Sequence, residues 1–352
     1  MPFIKSEPLT ELAIRLFVAS GVPEADAIVV AKHLVGANLR GHDSHGVMRV
    51  PQYLQFLRED KYHANVPLQI LHETPAVVSA DAGWGLGQVQ AHRLLAKLLP
   101  KAELLGVASG TLRNCGHVGR LGEYAETVAE RGMAFLASVN SHGAGRRVAP
   151  PGGTEGRIST NPICLGVPTT TDPVVLDFGT SVAAEGKVRV HYQKKEATPE
   201  GWLLDSDGQP TTNPAVLYED PRGTILPFGG NQTYKGFGLG LLLDLFTGGL
   251  SGGSCSHPDA PLAGIGNTLL FVVFDPKQFG GADHFVKQTT GLTDFVRSCP
   301  TAEGVERITL PGDPERDTKR QREQTGIRIP DGTWKLLVDE ATKWNVPLPT
   351  TN

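Results

Sequence analysis

Between Arg40 and Tyr53 the chain reads Arg-Gly-His-Asp-Ser-His-Gly-Val-Met-Arg-Val-Pro-Gln-Tyr, which places a hydroxyl (Ser44), an imidazole (His45) and a guanidinium (Arg49) within a few positions of one another. Imidazole exchanges a proton near neutral pH, and guanidinium grips a carboxylate with two parallel hydrogen bonds. A proton carrier beside a carboxylate anchor is what chemistry on a small 2-oxo or 2-hydroxy acid requires. The alternative is an ordinary helix entry, with Ser44 as its cap and His45 and Arg49 solvated. A second imidazole, His117, lies in Asn114-Cys-Gly-His-Val-Gly-Arg-Leu-Gly122, between a strand end and a helix start. Ligands of open α/β sheets bind at such places, and a helix N-terminus there lowers an imidazole pKa and favours phosphate. A plain turn histidine is the competing reading.

The elements that must position these groups fall into two textures. The first 60 residues read as helical: Pro23 to Leu39 begins with proline at a helix entry and carries apolar residues at Ile28, Ala31, Leu34, Val35 and Leu39. A second helix runs through Val50, Tyr53, Leu54 and Leu57, with Pro51 in its first turn, so His45 and Arg49 are expected at its entry. From about Leu68 strands and helices alternate. Strands are expected at 76–80, 107–113, 133–139, 174–177 and 269–274, and helices at 88–105, 119–131 and 331–344. This spacing predicts a largely parallel or mixed sheet with covered faces. Three strands end in polar residues, Asn114, Asn140-Ser141 and Asp177, which suggests one crevice lined from several directions. Thr198 to Phe228 reads as loop and turn, and Tyr234 to Phe246 as a buried, glycine-bearing helix ended by Gly248-Gly249.

Composition excludes several classes. With 352 residues the chain can bury a large core, and its length suggests two domains. A net charge of −4 and brief basic clusters argue against a nucleic-acid surface. The longest apolar run, Leu269 to Phe274, is too short to cross a bilayer, and Met-Pro-Phe-Ile-Lys-Ser-Glu lacks the apolar run expected of a signal peptide. Four widely spaced cysteines without a Cys-x-x-Cys pair read as reduced thiols of a cytoplasmic protein. No Gly-x-Gly-x-x-Gly follows a first strand: Gly236-Phe-Gly-Leu-Gly240 has the wrong spacing, and Gly85-Leu-Gly87 lacks the third glycine. There is no Walker sequence and no Gly-x-Ser-x-Gly. His42 and His45 lack a third ligand at metal spacing, so no metal is expected.

Taken together, the segments resemble the malate/L-lactate/L-sulfolactate dehydrogenase family, which also holds ureidoglycolate dehydrogenase and cyclic-imine carboxylate reductases. The resemblance rests on Gly41–Tyr53, Cys115–Tyr124, Ser159-Thr-Asn-Pro162, Leu176–Val188, Asp207–Pro214 and Lys235–Leu239, which come in the family's order. It implies an α/β fold with a mixed sheet: a non-Rossmann NAD(P)-binding domain over 76–314 and a helical substrate and dimerisation domain over 1–75, joined by 315–352. It further implies a homodimer, NAD or NADP as coenzyme with NADH ahead, a small carboxylate substrate, and no nucleic acid or membrane as partner. By analogy His45 is the proton donor, oriented by Ser44, Arg49 binds the substrate carboxylate, and Thr160 faces the substrate. Some members give the proton role to the histidine matching His117. The coenzyme would be lined by His117, Val118, Gly119, Arg120 and Leu121, by Ser141, by Asp177, Phe178 and Gly179, by Tyr234 and Lys235, and by the turn Gly312-Asp313-Pro314. Imine reductases of the family carry aspartate where Lys187 stands, so lysine here resembles the 2-hydroxy-acid dehydrogenases and could touch the substrate carbonyl or carboxylate. An exposed lysine, a cyclic-imine reductase, a metal hydrolase built on His42 and His45, and a non-catalytic nucleotide-binding module are the alternatives.

Overall fold

The computed structural model describes residues 1–260 and 266–349. Its first core is helical. Strand β1 (Phe3–Ile4) leads into α1 (Ser6–Ala19), α2 (Glu24–Leu39) and α3 (Val50–Arg58). α2 carries buried residues around most of its circumference, including Val30, Leu34 and the polar His33 and Asn38, so it is the central rod of this layer. Its core also takes Leu16, Phe17, Tyr53 and Leu54. The chain's far end returns to it: α10 (Asp331–Lys343) adds Leu337, and β12 (Ile327–Arg328) pairs antiparallel with β1.

The second core is built on a seven-stranded sheet. In chain order its strands are β2 (Gln69–Glu73), β3 (Val77–Asp81), β4 (Val107–Gly116), β5 (Ala134–Asn140), β6 (Pro162–Val167), β7 (Val174–Gly179) and β11 (Gly266–Phe274). In space they run β2-β3-β4-β11-β5-β6-β7. Only β3 and β4 are parallel, and every other pair is antiparallel. Of the largely parallel or mixed sheet expected from the alternating strands and helices, the mixed form is found, and it is mainly antiparallel: β2-β3 and β5-β6-β7 pair antiparallel, and the late strand β11 runs antiparallel to both β4 and β5 between them. Along β11, Leu269, Phe271 and Val273 are fully buried while Val272 and Phe274 are half-buried, so one face is sealed more tightly than the other. The sealed face is covered by α4 (Gly87–Leu105) and α5 (Gly122–Ala129), whose Tyr124 ring meets Phe271 at 5.1 Å.

A third, smaller core lies in the stretch read from sequence as loop. β8 (Leu203–Leu204), β9 (Pro210–Thr211) and β10 (Thr224–Ile225) form a short antiparallel sheet beside α6 (Glu185–Lys194), around Val188, Leu203, Leu217 and Ile225. Strands of two residues carry too little periodicity to be seen in sequence. α7 (Thr233–Asp244) continues through a wide turn over Leu245–Gly249 into Ser251, so the double glycine does not end it. Nor is it buried all round: Leu242, Leu245, Phe246 and Leu250 are each at least half exposed. The remaining helices are α8 (Ala282–Arg297) and α9 (Asp313–Thr325), the latter spanning from the sheet toward the helical layer.

Candidate active site

The sheet pairing brings chain ends of distant sequence to one edge. β4, β5 and β7 finish there, and β6 and β11 begin there. This edge faces the helical layer across a cleft of about 480 Å³ into which Ser44, His45, Arg49, His117, Ser141 and Thr160 all open.

The Ser44–Arg49 segment is not a single helix entry. Two short 3-10 turns, Asp43–His45 and Val47–Arg49, precede α3 and are separated by Gly46 in an extended conformation. Gly46 is required by proximity, since a Cβ there would lie 2.2 Å from the Asn38 side chain. Ser44 caps nothing; its Oγ lies 3.1 Å from His45 Nδ1. Arg49 donates from Nε to the Ser44 carbonyl at 2.7 Å and from Nη1 to Gln52 Oε1 at 2.8 Å, leaving Nη2 and one Nη1 hydrogen without a partner among the described residues. Burial, reinforced by the positive charge of Arg49 and by His42, pushes the His45 pKa down to about 3.

His117 stacks on His45, with ring centroids 5.3 Å apart and planes 21° from parallel. Its Nδ1 lies 2.5 Å from the Tyr53 hydroxyl, which also accepts from Gln88 Nε2 at 3.1 Å. The backbone N–H of His117 donates to the Tyr62 hydroxyl at 2.8 Å. Glycine at 87 lets the start of α4 touch this bend, because a Cβ there would be 2.2 Å from the Gly116 carbonyl oxygen. Residues 117–121 form a loop, and α5 begins only at Gly122. The His117 pKa is indeed lowered, but by burial and then by Arg49 and His45 rather than by a helix terminus. Burial also raises the Tyr53 hydroxyl to about 12, so it stays protonated and can bond the imidazole.

The sheet side of the cleft is polar and knit together. Asn267 Oδ1 accepts from the Val118 N–H at 3.0 Å, and its Nδ2 donates to the Asn140 carbonyl at 2.9 Å, tying the ends of β4 and β5. The buried Asp244 carboxylate receives Asn140 Nδ2, Asn161 Nδ2 and the Ser256 hydroxyl. Ser141 and Ser159 pair through their hydroxyls at 3.0 Å. The third core contributes Arg189, Glu185 and Gly186, and Gly186 packs against Ser44. Arg147 completes that wall.

The sequence-expected residues divide in two. Ser44, His45, Arg49, His117, Val118, Gly119, Leu121, Ser141 and Thr160 share the cleft. The others lie elsewhere. Lys187 is exposed and turned out of the lining, with neighbours Gly186 and Arg189 in it. Arg120 is buried against Glu126. Asp177 accepts from the Gly122 N–H at 2.8 Å behind α5, and burial raises its pKa. Phe178 meets Phe228, and Gly179 packs behind the Thr160 carbonyl. Tyr234 and Lys235 are exposed at the start of α7. Gly312 takes φ +94 before α9, Pro314 is exposed in its first turn, and Asp313 is held between Arg297 and Arg316. Sequence reasoning missed Gln52, Phe56, Tyr62, Arg147, Ser159, Arg189 and Asn267 as lining residues. Gln52 and Phe56 were accessible, since they follow Arg49 at helical spacing, and so was Ser159, which stands beside Thr160; the others converge only in three dimensions.

Among the described residues, one group has metal-ligand proximity: His33, His92 and Glu123. His33 Nε2 accepts the Arg120 N–H at 2.9 Å, so its ring proton resides on Nδ1, which lies 3.1 Å from Glu123 Oε1. A protonated Nδ1 has no lone pair for a metal, and the group reads as a partly buried histidine–carboxylate cluster. A nicotinamide dinucleotide suits the main cleft better. The cleft is large, it carries Arg147 and Arg189 as cations for phosphate, and Gly119, held at φ +78 by close packing on the buried His33, presents bare backbone in its lining.

Fold and cleft together define an α/β enzyme with a catalytic edge facing a helical layer. The family model described as malate/L-lactate dehydrogenase matches residues 4–338, and the chain belongs to that family, among the oxidoreductases acting on CH–OH groups. Hydroxycarboxylate dehydrogenase B of Escherichia coli is 36% identical over 343 residues, covering 95% of this chain and 92% of that protein. The solved sulfolactate dehydrogenase from Methanocaldococcus jannaschii superposes with a TM-score of 0.87 at 31% identity, covering 98% of both chains. Δ1-piperideine-2-carboxylate reductase from Pseudomonas syringae superposes with a TM-score of 0.82 at 30% identity, over 97% of this chain and 100% of that one.

Proposed function

We propose that this protein is an NAD(P)-dependent dehydrogenase interconverting a small 2-oxo acid and its 2-hydroxy acid. The observation that carries this reading is the convergence of Arg49, His45 and His117 on one cleft. Hydride transfer at C4 is the chemistry a bound nicotinamide supplies there. Arg49 grips the substrate carboxylate through its free end, and Thr160 faces the substrate. Ser44 holds His45 by Nδ1, which leaves Nε2 for the proton on the C2 oxygen. With their pKa values depressed, both imidazoles are neutral near pH 7, ready to accept that proton when a hydroxy acid is oxidised. In the reducing direction, a carboxylate bound on Arg49 offsets the charge that helps hold His45 deprotonated, and so favours its protonation.

The likeness to the piperideine-carboxylate reductase favours one second reading, reduction of a cyclic imino acid, with the same hydride chemistry. The exposed Lys187 offers no carboxylate for it. A homodimer accompanies the main reading: the open apolar face of α7 is a surface a second copy would cover. Four free thiols suit a reducing compartment such as the cytoplasm. A panel of 2-oxo acids and cyclic imines, each offered NADH and NADPH while nicotinamide absorbance is followed, tests the proposal. Turnover of at least one 2-oxo acid is expected; turnover of imines alone would replace the reading with the second one.

A further inference from the structure

The loop carrying Ser44 and His45 is gripped from behind by a helix more than 270 residues later in the chain. Glu315, Thr318 and Arg322 share one face of α9 at helical spacing, and each meets a different part of that loop. Glu315 Oε1 lies 3.2 Å from His42 Nε2. Thr318 packs on Gly41, which takes φ +83 and whose Cβ would come 3.3 Å from the threonine methyl. Arg322 makes a two-pronged bond to Asp43, Nη1 to Oδ1 at 2.6 Å and Nη2 to Oδ2 at 3.0 Å, and also donates to the Asn38 carbonyl. Asn38 then carries the grip forward: its Nδ2 donates to Asp43 Oδ1 at 2.6 Å, and its Oδ1 accepts the Val47 N–H at 2.8 Å. The turn holding Ser44 and His45 is thus stapled at both ends. At its other end α9 is fixed to the sheet, where Asp313 receives Arg297 and Arg316, and Arg316 donates to the Pro173 carbonyl just before β7.

We propose that Arg322 is a positioning residue for the reaction: through Asp43 and Asn38 it sets His45 against the cleft. This rests on the reading of His45 as the proton carrier. The Asp43–Arg322 pair is partly exposed, and ion pairs of that kind contribute little to folding. A stabilising role therefore predicts a small effect everywhere, whereas misplacement of a reacting group by about 1 Å can cost on the order of a hundredfold in rate.

The experiment compares the full-length protein with Arg322→Ala, Arg322→Lys, Asp43→Asn and the Asp43→Asn/Arg322→Ala double variant. For each, kcat and KM for the best 2-oxo acid, NADH affinity by fluorescence, thermal stability and the titration of the His45 ring by NMR are measured, with His45→Gln assigning the signal. Positioning predicts that kcat falls about ten- to a hundredfold in Arg322→Ala while NADH affinity and KM stay within about twofold. It predicts partial recovery in Arg322→Lys, a double variant no worse than the worse single one, and a His45 titration displaced from that of the unaltered protein. An unchanged kcat in both Arg322→Ala and Asp43→Asn, or an unmoved His45 titration, overturns the proposal. Should Arg322→Ala fail to fold, the near-isosteric Asp43→Asn decides by the same criteria. If the unaltered protein turns over no 2-oxo acid, the functional reading fails, and the ring titration still decides whether α9 positions His45.

Discussion

Acidification from about pH 7.5 to about pH 5 should remove roughly 2 kcal/mol of folding stability through His45 alone. Desolvation in the cleft, and then the charge of Arg49, push its half-buried imidazole down to about 3 in the folded protein against an ordinary 6.5. Between those values the unfolded chain binds a proton that the folded protein refuses. The contribution is therefore complete above pH 6.5 and declines as the pH falls below it. At pH 5 the decline spans about 1.5 pH units at roughly 1.36 kcal/mol each. His117 is depressed for the same leading reason and adds loss of the same sign. Urea unfolding of the protein and of His45→Gln at both pH values isolates the His45 share. The unsubstituted protein should lose roughly 2 kcal/mol more than the variant on acidification. Parallel losses in the two would refute the claim that the cleft keeps His45 neutral, and with it the assignment of a proton-accepting resting state.

Two further substitutions probe the neighbours of that imidazole. Arg49→Lys should damage kcat/KM nearly as much as Arg49→Ala, because lysine cannot bond Ser44 and Gln52 while offering two donors to a carboxylate; a mild Arg49→Lys effect in steady-state assays contradicts carboxylate anchoring. Tyr53→Phe strips His117 Nδ1 and Gln88 Nε2 of their shared partner, and should cost about 1–3 kcal/mol in urea unfolding together with about a tenfold fall in kcat; unchanged stability and rate would remove the Tyr53–His117 bond from the account.

What could be read in the sequence, and what could not, follows from the range of the interactions. α2, α4 and α10 announce themselves by apolar periodicity and proline or glycine boundaries, which are local. So does β11, whose unbroken Leu269–Phe274 run marks a central strand. Its neighbours were not legible, since nothing local says that a strand near residue 270 inserts between β4 and β5. That insertion separates β4 from β5 and brings Asn267 to Val118 and Asn140. The helical half of the cleft was legible because Ser44, His45 and Arg49 stand within one short segment. The opposite wall was legible in part, at His117, Ser141 and Thr160, whereas Arg147 and Arg189 come from separate segments that no local pattern ties to it. Asp177 shows the opposite failure. It ends a strand as a ligand residue might, yet its carboxylate turns away to cap the Gly122 N–H. The Leu242–Phe246 flank of α7 looked like core for a simple reason: apolar composition is the same whether a helix is covered by its own chain or left open.

The account stands on His45 exchanging a proton with substrate beside a bound coenzyme. The most direct measurement is turnover of the best 2-oxo acid by His45→Ala, made on the same sample in which NADH binding is titrated by fluorescence. The account predicts a rate lower by about a hundredfold or more with NADH affinity within about twofold of the unaltered protein. Near-normal turnover in His45→Ala would contradict it and pass the proton to His117.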